Sequence, residues 1–162
     1  MENNYLSVYW FAKNVFPIIE EKDSQFKLYI IGKVSDENKK KLQSISDNVV
    51  VLGYVEQLDE EIRNAALIAA PVLYGAGVKV KVIDALSYGQ VVIATEKAIE
   101  GTGLLHGEHL LVGEEPSELA DYCVDVIHNR HKYEKMMNSG LRYVKQIHSI
   151  EHQSTILKKV LE

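Results

Sequence analysis

Pro71-Val72-Leu73-Tyr74-Gly75-Ala76-Gly77-Val78-Lys79-Val80-Lys81-Val82-Ile83-Asp84-Ala85-Leu86-Ser87-Tyr88-Gly89 reads as the end of a strand, a glycine turn and the start of a helix. Gly75 and Gly77 permit tight backbone geometry and let a ligand approach the main chain. The helix that follows offers unpaired N–H groups and the positive end of its dipole. Lys79 and Lys81 fall in its first turn, so a diphosphate is the natural guest. Asp84 follows Lys81 on the same helical face, one turn further from the phosphate end. A lysine at phosphate depth and an acid at ribose depth suit a nucleoside diphosphate. The spacing also admits a plain surface ion pair between Lys81 and Asp84, worth about 0.2–0.5 kcal/mol, with the glycines serving only the turn. The third glycine of the dinucleotide fingerprint is absent, and no Gly-Lys-Ser/Thr follows, which excludes a P-loop.

Outward from this stretch, short apolar runs rich in β-branched residues recur at 27–31, 49–52, 67–70, 91–94 and 109–112. They predict strands buried on both faces. Helical character at 36–45, 57–65 and 78–88 alternates with them, and a looser connection over 95–107 has room for a short helical turn. The fold class that follows is α/β, a doubly wound, Rossmann-like parallel sheet of about five strands with helices on both faces. Ligands of such sheets bind beyond the carboxyl ends of the strands, and the glycine loop sits just past one of them.

Beyond residue 112 the pattern turns to helix only. Pro116 and Ser117 open a segment to Asn129 in which Leu119, Ala120, Cys123, Val124 and Ile127 form an apolar stripe, with Glu118, Asp121 and Asp125 facing away. Helices over 131–147 and 150–161 complete the chain. At the other end, Tyr5 to Ile19 reads as an amphipathic helix with Trp10, Phe11, Val15, Phe16 and Ile18 or Ile19 available for packing. A doubly wound domain normally starts with a strand. The first strand is therefore expected to be missing, as in a fragment, or its place in the sheet to be supplied by something else; an uncovered edge invites pairing with another chain.

With 162 residues the chain suits one domain with a substantial core. Its net charge of −5 argues against general binding to nucleic acid or an anionic membrane surface, so an anion must be captured by local positive charge, which Lys79 and Lys81 supply. The single cysteine, Cys123, precludes an internal disulfide and reads as a small core residue. No signal peptide is recognisable, and no apolar run approaches the roughly 20 residues of a membrane span. These features predict a reducing, cytoplasmic setting.

Taken together, residues 5 to 162 resemble the C-terminal, donor-binding domain of GT-B-fold glycosyltransferases of the family 4 or "group 1" type. The most specific part is the run from Pro71 to Thr95, which is similar to the family's Pro-…-Gly-(Ser/Ala)-Gly-…-Lys-…-Glu-Ala-(Leu/Met)-Ala-…-Gly-…-Pro-Val-Val-…-Thr. Ile99-Glu100-Gly101 resembles the Glu-Gly turn that follows, Leu28 to Lys33 the family's Ile-Val-Gly strand end, and Gly53-Tyr54-Val55 its Gly-(Tyr/Phe)-Val.

The resemblance implies that Lys81 touches the donor's diphosphate and is the catalytic group, that Asp84 bonds the ribose hydroxyls, and that Gly75, Ala76, Gly77 and Val78 line the phosphate and sugar side. It implies that the backbone at Tyr54 and Val55 meets the nucleobase. Glu100 and Gly101 are then either loop-shaping or a contact for donor hydroxyls. In the commonest form of the family a Glu-x7-Glu pair is present; here the first position falls on Ala76 and the second on Asp84. The Gly-Ala-Gly variant without the first carboxylate is a subtype in which sugar contacts rest more on backbone N–H groups. Gln90 replaces the usual residue before Val-Val, and the proline is absent.

Further implications concern the whole enzyme. It would be a retaining transferase using a nucleoside diphosphate sugar, with no other cofactor and no metal, and residues 1–162 would be a single domain of a two-domain protein. The acceptor site would lie in an N-terminal domain, missing here, and the acceptor can be membrane-associated. The isolated chain would bind donor weakly and transfer little or nothing.

Other constellations are thinner. His148 with His152, and His128 with His131, have spacings that can hold metal, but no third ligand stands out, and exposed helical histidines account for them. His106 and His109 flank the 95–112 loop, where surface placement competes with a minor donor contact. Tyr74 and Tyr88 border the glycine loop and helix, and packing roles are expected for both. A rival reading is a stand-alone, non-catalytic module that binds nucleotides or a protein partner. A receiver-like domain needs acids at early strand ends, and Ile31-Gly32-Lys33 and Leu52-Gly53-Tyr54 offer none.

Overall fold

The computed structural model describes residues 2–75 and 79–147. The expected closing helix over 150–161 and the His148–His152 pair lie outside them, as do Ala76, Gly77 and Val78. The chain enters through α1 (Glu2–Trp10), a π-helical stretch Phe11–Val15 and α2 (Phe16–Lys22). Pro17 explains the interruption. It has no N–H to continue the ladder and its ring crowds the carbonyl four residues back, so the turn before it widens and the Phe16 N–H donates to Phe11 O. The widened turn places Phe11, Ala12, Val15, Phe16 and Ile19 in the core and leaves Trp10 and Ile18 half-buried.

The rest alternates as the apolar runs predict: β1 (Leu28–Ile31), α3 (Asp36–Gln43), β2 (Val49–Gly53), α4 (Leu58–Asn64), β3 (Ile68–Ala70), α5 (Lys79–Ser87), β4 (Val92–Ala94), α6 (Glu96–Ile99), β5 (Leu111–Val112) and α7 (Pro116–His128). A 3-10 turn, Arg130–Tyr133, leads into α8 (Glu134–Ile147). The strand expected over 109–112 shrinks to two residues, preceded by an isolated parallel bridge from His106 to Leu110. On α7 the buried stripe is Leu119, Ala120, Cys123 and Val126. Val126 takes the place expected for Ile127, as spacings of four and then three from Leu119 dictate.

All pairings are parallel, and the sheet comes in two hydrogen-bonded pieces, β1-β2 and β3-β4-β5. One apolar layer underlies both: Ile30, Val49 and Val51 join Val91, Ile93 and Leu111 in a single cluster with the first helices and α7. The second layer, with α5 and Val144 of α8, covers only β3-β4-β5, where Val92 and Ala94 point. On β1-β2 the corresponding face carries Tyr29 and Leu52, both exposed.

Candidate functional site

In each parallel piece the carboxyl ends of the strands share one rim. At the end of β1-β2, the Gly32 N–H donates to Gly53 O at 2.8 Å. Both glycines have positive φ, +134° and +75°, and a Cβ on either would meet nothing within 4 Å. Main chain is thus exposed to open space where the resemblance expects a nucleobase. Tyr54, 74% exposed, stands beside it, with Val55 half-buried.

The end of β3 is clamped from two sides. Thr95, 1% exposed at the end of β4, donates from Oγ1 to Val72 O at 2.7 Å and accepts from Val72 N at 3.0 Å. Ser7 of α1, also buried, accepts from Leu73 N at 3.1 Å. The chain leaving this clamp passes an exposed Tyr74, in place of the packing role expected for it, and turns at Gly75 with φ +84°. α5 follows from Lys79. It buries Val82, Ala85 and Leu86 and exposes Lys81 and Asp84 on its other side. Among the described residues these two form no ion pair with each other, so both stay available to a ligand on the rim.

After β4, α6 ends at Glu100 and Gly101, where φ is +72°. Lys97 Nζ lies 2.6 Å from Glu100 Oε2. Together with Glu96, His106, Glu118 and Tyr122 this turn borders an open depression of about 690 Å³. Here Glu96 N donates to Glu114 Oε1 at 2.6 Å, and Val112 N donates to His106 Nδ1 at 2.9 Å.

Two further histidines have structural partners. His109 is buried, accepts from Leu105 N at 3.0 Å and lies against the Tyr143 ring at 4.4 Å, contrary to the surface position expected. His128 Nε2 lies 3.0 Å from Asp23 Oδ2. Among the described residues no group of three or more His, Cys, Asp or Glu could hold a metal ion. Cys123 is buried, and burial pushes its thiol up to about 12. Tyr88 packs under Arg63 at 4.9 Å, and a hydrogen bond to Asp59 raises its phenol.

Sequence reasoning passed over Thr95, Ser7 and Gln90 as positioning groups. Gln90 is buried, donates to Arg63 O at 3.0 Å and accepts from Arg130 Nη2 at 2.9 Å, while Arg130 Nη1 donates to Ala66 O. A buried polar side chain must find such partners. Gln90 immediately before a strand with no charge in it was the available signal.

Among the described residues no helix is long and apolar enough to cross a membrane. Comparison with known proteins bears on the family and the fold. The chain is 30% identical over 137 residues to an uncharacterized 44.6 kDa protein in the cps region of Klebsiella pneumoniae, matching 80% of this chain and 35% of that one. It thus spans about a third of that relative's length. Among solved structures, TarM superposes with a TM-score of 0.76 at 18% identity, over 95% of this chain and 31% of TarM. HepE of Anabaena, in complex with UDP and glucose, gives 0.76 at 13% identity, over 91% of this chain and 44% of HepE. The C-terminal domain of LpcC, a group 1 family glycosyl transferase of Francisella tularensis, gives 0.72 at 15% identity, over 93% of this chain and 82% of that domain. These likenesses fix the fold as that of a GT-B C-terminal domain. The model of the family "Glycosyl transferases group 1" matches residues 1–129, and the chain belongs to that family.

Proposed function

We propose that residues 1–162 form the donor-binding domain of a two-domain, retaining glycosyltransferase that uses a nucleoside diphosphate sugar. The observation that carries this reading is the start of α5. It follows a doubly clamped loop at the carboxyl end of β3 and exposes Lys81 and Asp84 one turn apart. In the proposed site the Lys81 ammonium and the first N–H groups of α5 meet the diphosphate, which gains negative charge as the sugar departs. Stabilising that charge is electrostatic preorganisation and moves no proton.

Asp84 accepts from the ribose hydroxyls, and the open main chain at Gly53-Tyr54-Val55 receives the base. Gly75 to Val78 border the sugar and phosphates, with Glu100-Gly101 beside them. No metal is assigned a role. The acceptor, membrane-associated or not, is held by an N-terminal domain, so this domain alone transfers little or nothing. The reduced, buried Cys123 fits a cytoplasmic setting.

The test is calorimetric titration with UDP, GDP and ADP, UDP first because HepE is seen with it. Selective binding of one nucleotide, weakened by Lys81→Ala and by Asp84→Ala, supports the reading. Absence of binding at millimolar concentration, both here and in a longer chain that carries an N-terminal domain, overturns it.

A further inference from the structure

Residues 100–110 join α6 to β5 with no helix or strand of their own, and Glu100, Gly101, Gly103, Leu105 and His106 of this segment form one wall of the open depression. The wall is built from two turns. In the first, Thr102 N donates to Ile99 O at 3.0 Å and Leu104 N to Thr102 Oγ1 at 3.2 Å. In the second, Glu108 N and His109 N donate to Leu105 O at 3.3 and 3.0 Å.

What spans the two turns is α8, behind the wall. Tyr143 donates from its hydroxyl to Thr102 O at 3.0 Å in the first turn, and its ring lies 4.4 Å from that of His109 in the second. His109 is 5% exposed, and its Nδ1 accepts from Leu105 N at 3.0 Å. The fit leaves little slack. Gly103, at φ +75°, has no room for a Cβ against the Tyr143 hydroxyl, and a Cβ on Gly140 would stand 2.6 Å from His109 O. The same helix also backs α5: Val144 shares a core cluster with Val82 and Leu86. α8 thereby sets how far the wall stands from the helix that exposes Lys81 and Asp84.

We infer that His109 and Tyr143 are positioning residues of the rim, which hold the Glu100–His106 wall from behind and do so only while His109 is neutral. The condition comes from the hydrogen bond itself. Because Nδ1 accepts, the neutral ring carries its hydrogen on Nε2; an imidazolium carries one on each nitrogen and has no lone pair for Leu105 N. Protonation therefore breaks the bond that ties the ring to the second turn and leaves the Leu105 amide without its partner. The titratable groups set against the ring are Glu108, whose Oε1 lies 3.6 Å from Nε2, and Tyr143. The inference rests on the donor reading for what the wall faces, the sugar side of a nucleoside diphosphate sugar, and not for the brace.

The test uses His109→Asn and Tyr143→Phe. Asparagine offers an acceptor near the place of Nδ1 and does not titrate, and phenylalanine keeps the ring while losing the hydroxyl. Hydrogen-exchange protection is read by NMR at about pH 7.5 and about pH 5.5, either side of the ordinary histidine value. In the wild type, protection of the Leu105 amide should fall about fivefold on acidification, the worth of one hydrogen bond, and stay level in His109→Asn. Tyr143→Phe should lower protection of the Leu104 amide at both pH values. The second readout is affinity for UDP-glucose relative to UDP, the ligands with which HepE is seen. That ratio should fall about fivefold on acidification in the wild type and not in His109→Asn, and by a like factor in Tyr143→Phe at neutral pH.

His106→Asn is the control, since His106 is exposed on the depression and its Nδ1 accepts from Val112 N. An acid response abolished by His106→Asn in place of His109→Asn overturns the inference. So does Leu105 protection that ignores pH, or Leu104 protection unmoved in a Tyr143→Phe protein that stays folded by circular dichroism. If the wild type binds neither nucleotide, the donor reading fails and the exchange data alone decide the brace. If His109→Asn does not fold, Tyr143→Phe and the wild-type pH response decide it.

Discussion

Thr95 and Val72 are joined by two hydrogen bonds through one hydroxyl, which donates to Val72 O at 2.7 Å and accepts from Val72 N at 3.0 Å. The pair lashes the loop after β3 to the end of β4. Thr95→Val keeps the volume and leaves both Val72 groups unsatisfied in a buried place. It should cost about 1–3 kcal/mol in urea unfolding and weaken nucleotide binding, while Thr95→Ser retains most of both.

Lys81 and Asp84 should behave in the opposite way. Both are exposed and neither fills the core. Replacing either by alanine should change stability by no more than about 0.5 kcal/mol. Nucleotide affinity should fall about tenfold or more for Lys81→Ala, the loss of a charge-assisted bond. Unfolding and titration on the same preparations separate the two effects.

Gly140 lies within α8 where that helix crosses His109 and Leu86. A Cβ there would stand 2.6 Å from His109 O and 2.9 Å from Leu86 Cδ2. Alanine in a helix interior is ordinarily favourable over glycine by about 1 kcal/mol. Here the backbone contact cannot yield, so Gly140→Ala should destabilise by about 1–3 kcal/mol, read from the urea midpoint.

The Asp125–Tyr133 contact predicts two pH limits. Hydrogen bonds, that from Tyr133 foremost, hold the Asp125 carboxyl below its usual range. Its stabilisation is present above the unfolded carboxyl pKa and lost as pH falls through the lower folded one. Burial, then the bond to Asp125, pushes the Tyr133 phenol up to about 12. That contribution is present below the unfolded tyrosine pKa of about 10 and lost as pH climbs through the folded value. Tyr133→Phe should flatten the alkaline limb of a midpoint-against-pH curve and reduce the acid one.

Most of the architecture was legible because it rests on local pattern. Five β-branched runs became five strands, and on α7 Leu119, Ala120 and Cys123 are buried as expected, while Val126 is buried in place of Ile127 and Val124 is only half-buried. The exposure of Lys81 and Asp84 was legible for the same reason: a helix that buries Val82, Ala85 and Leu86 turns those two residues outward. What escaped was non-local. Ser7 meets Leu73 across 66 residues, and Gln90 meets Arg130 across 40, pairings no spacing rule encodes. Tyr74 and His109 exchanged their expected environments because exposure in a long connection depends on what later packs over it: α8 covers His109, and nothing described covers Tyr74.

The first helices find their mates very late in the chain. Lys22 pairs with Asp121 at 2.7 Å across 99 residues, and Asp23 with His128 at 3.0 Å across 105. On a ribosome adding about 5–20 residues per second, Phe11, Val15, Phe16 and Ile19 wait roughly 5–20 s for α7 to emerge. Through that interval the nascent chain displays an apolar stripe suited to chaperone capture, and closing so long a loop makes folding slow. Within this domain the helices that are made first are among the last to be buried.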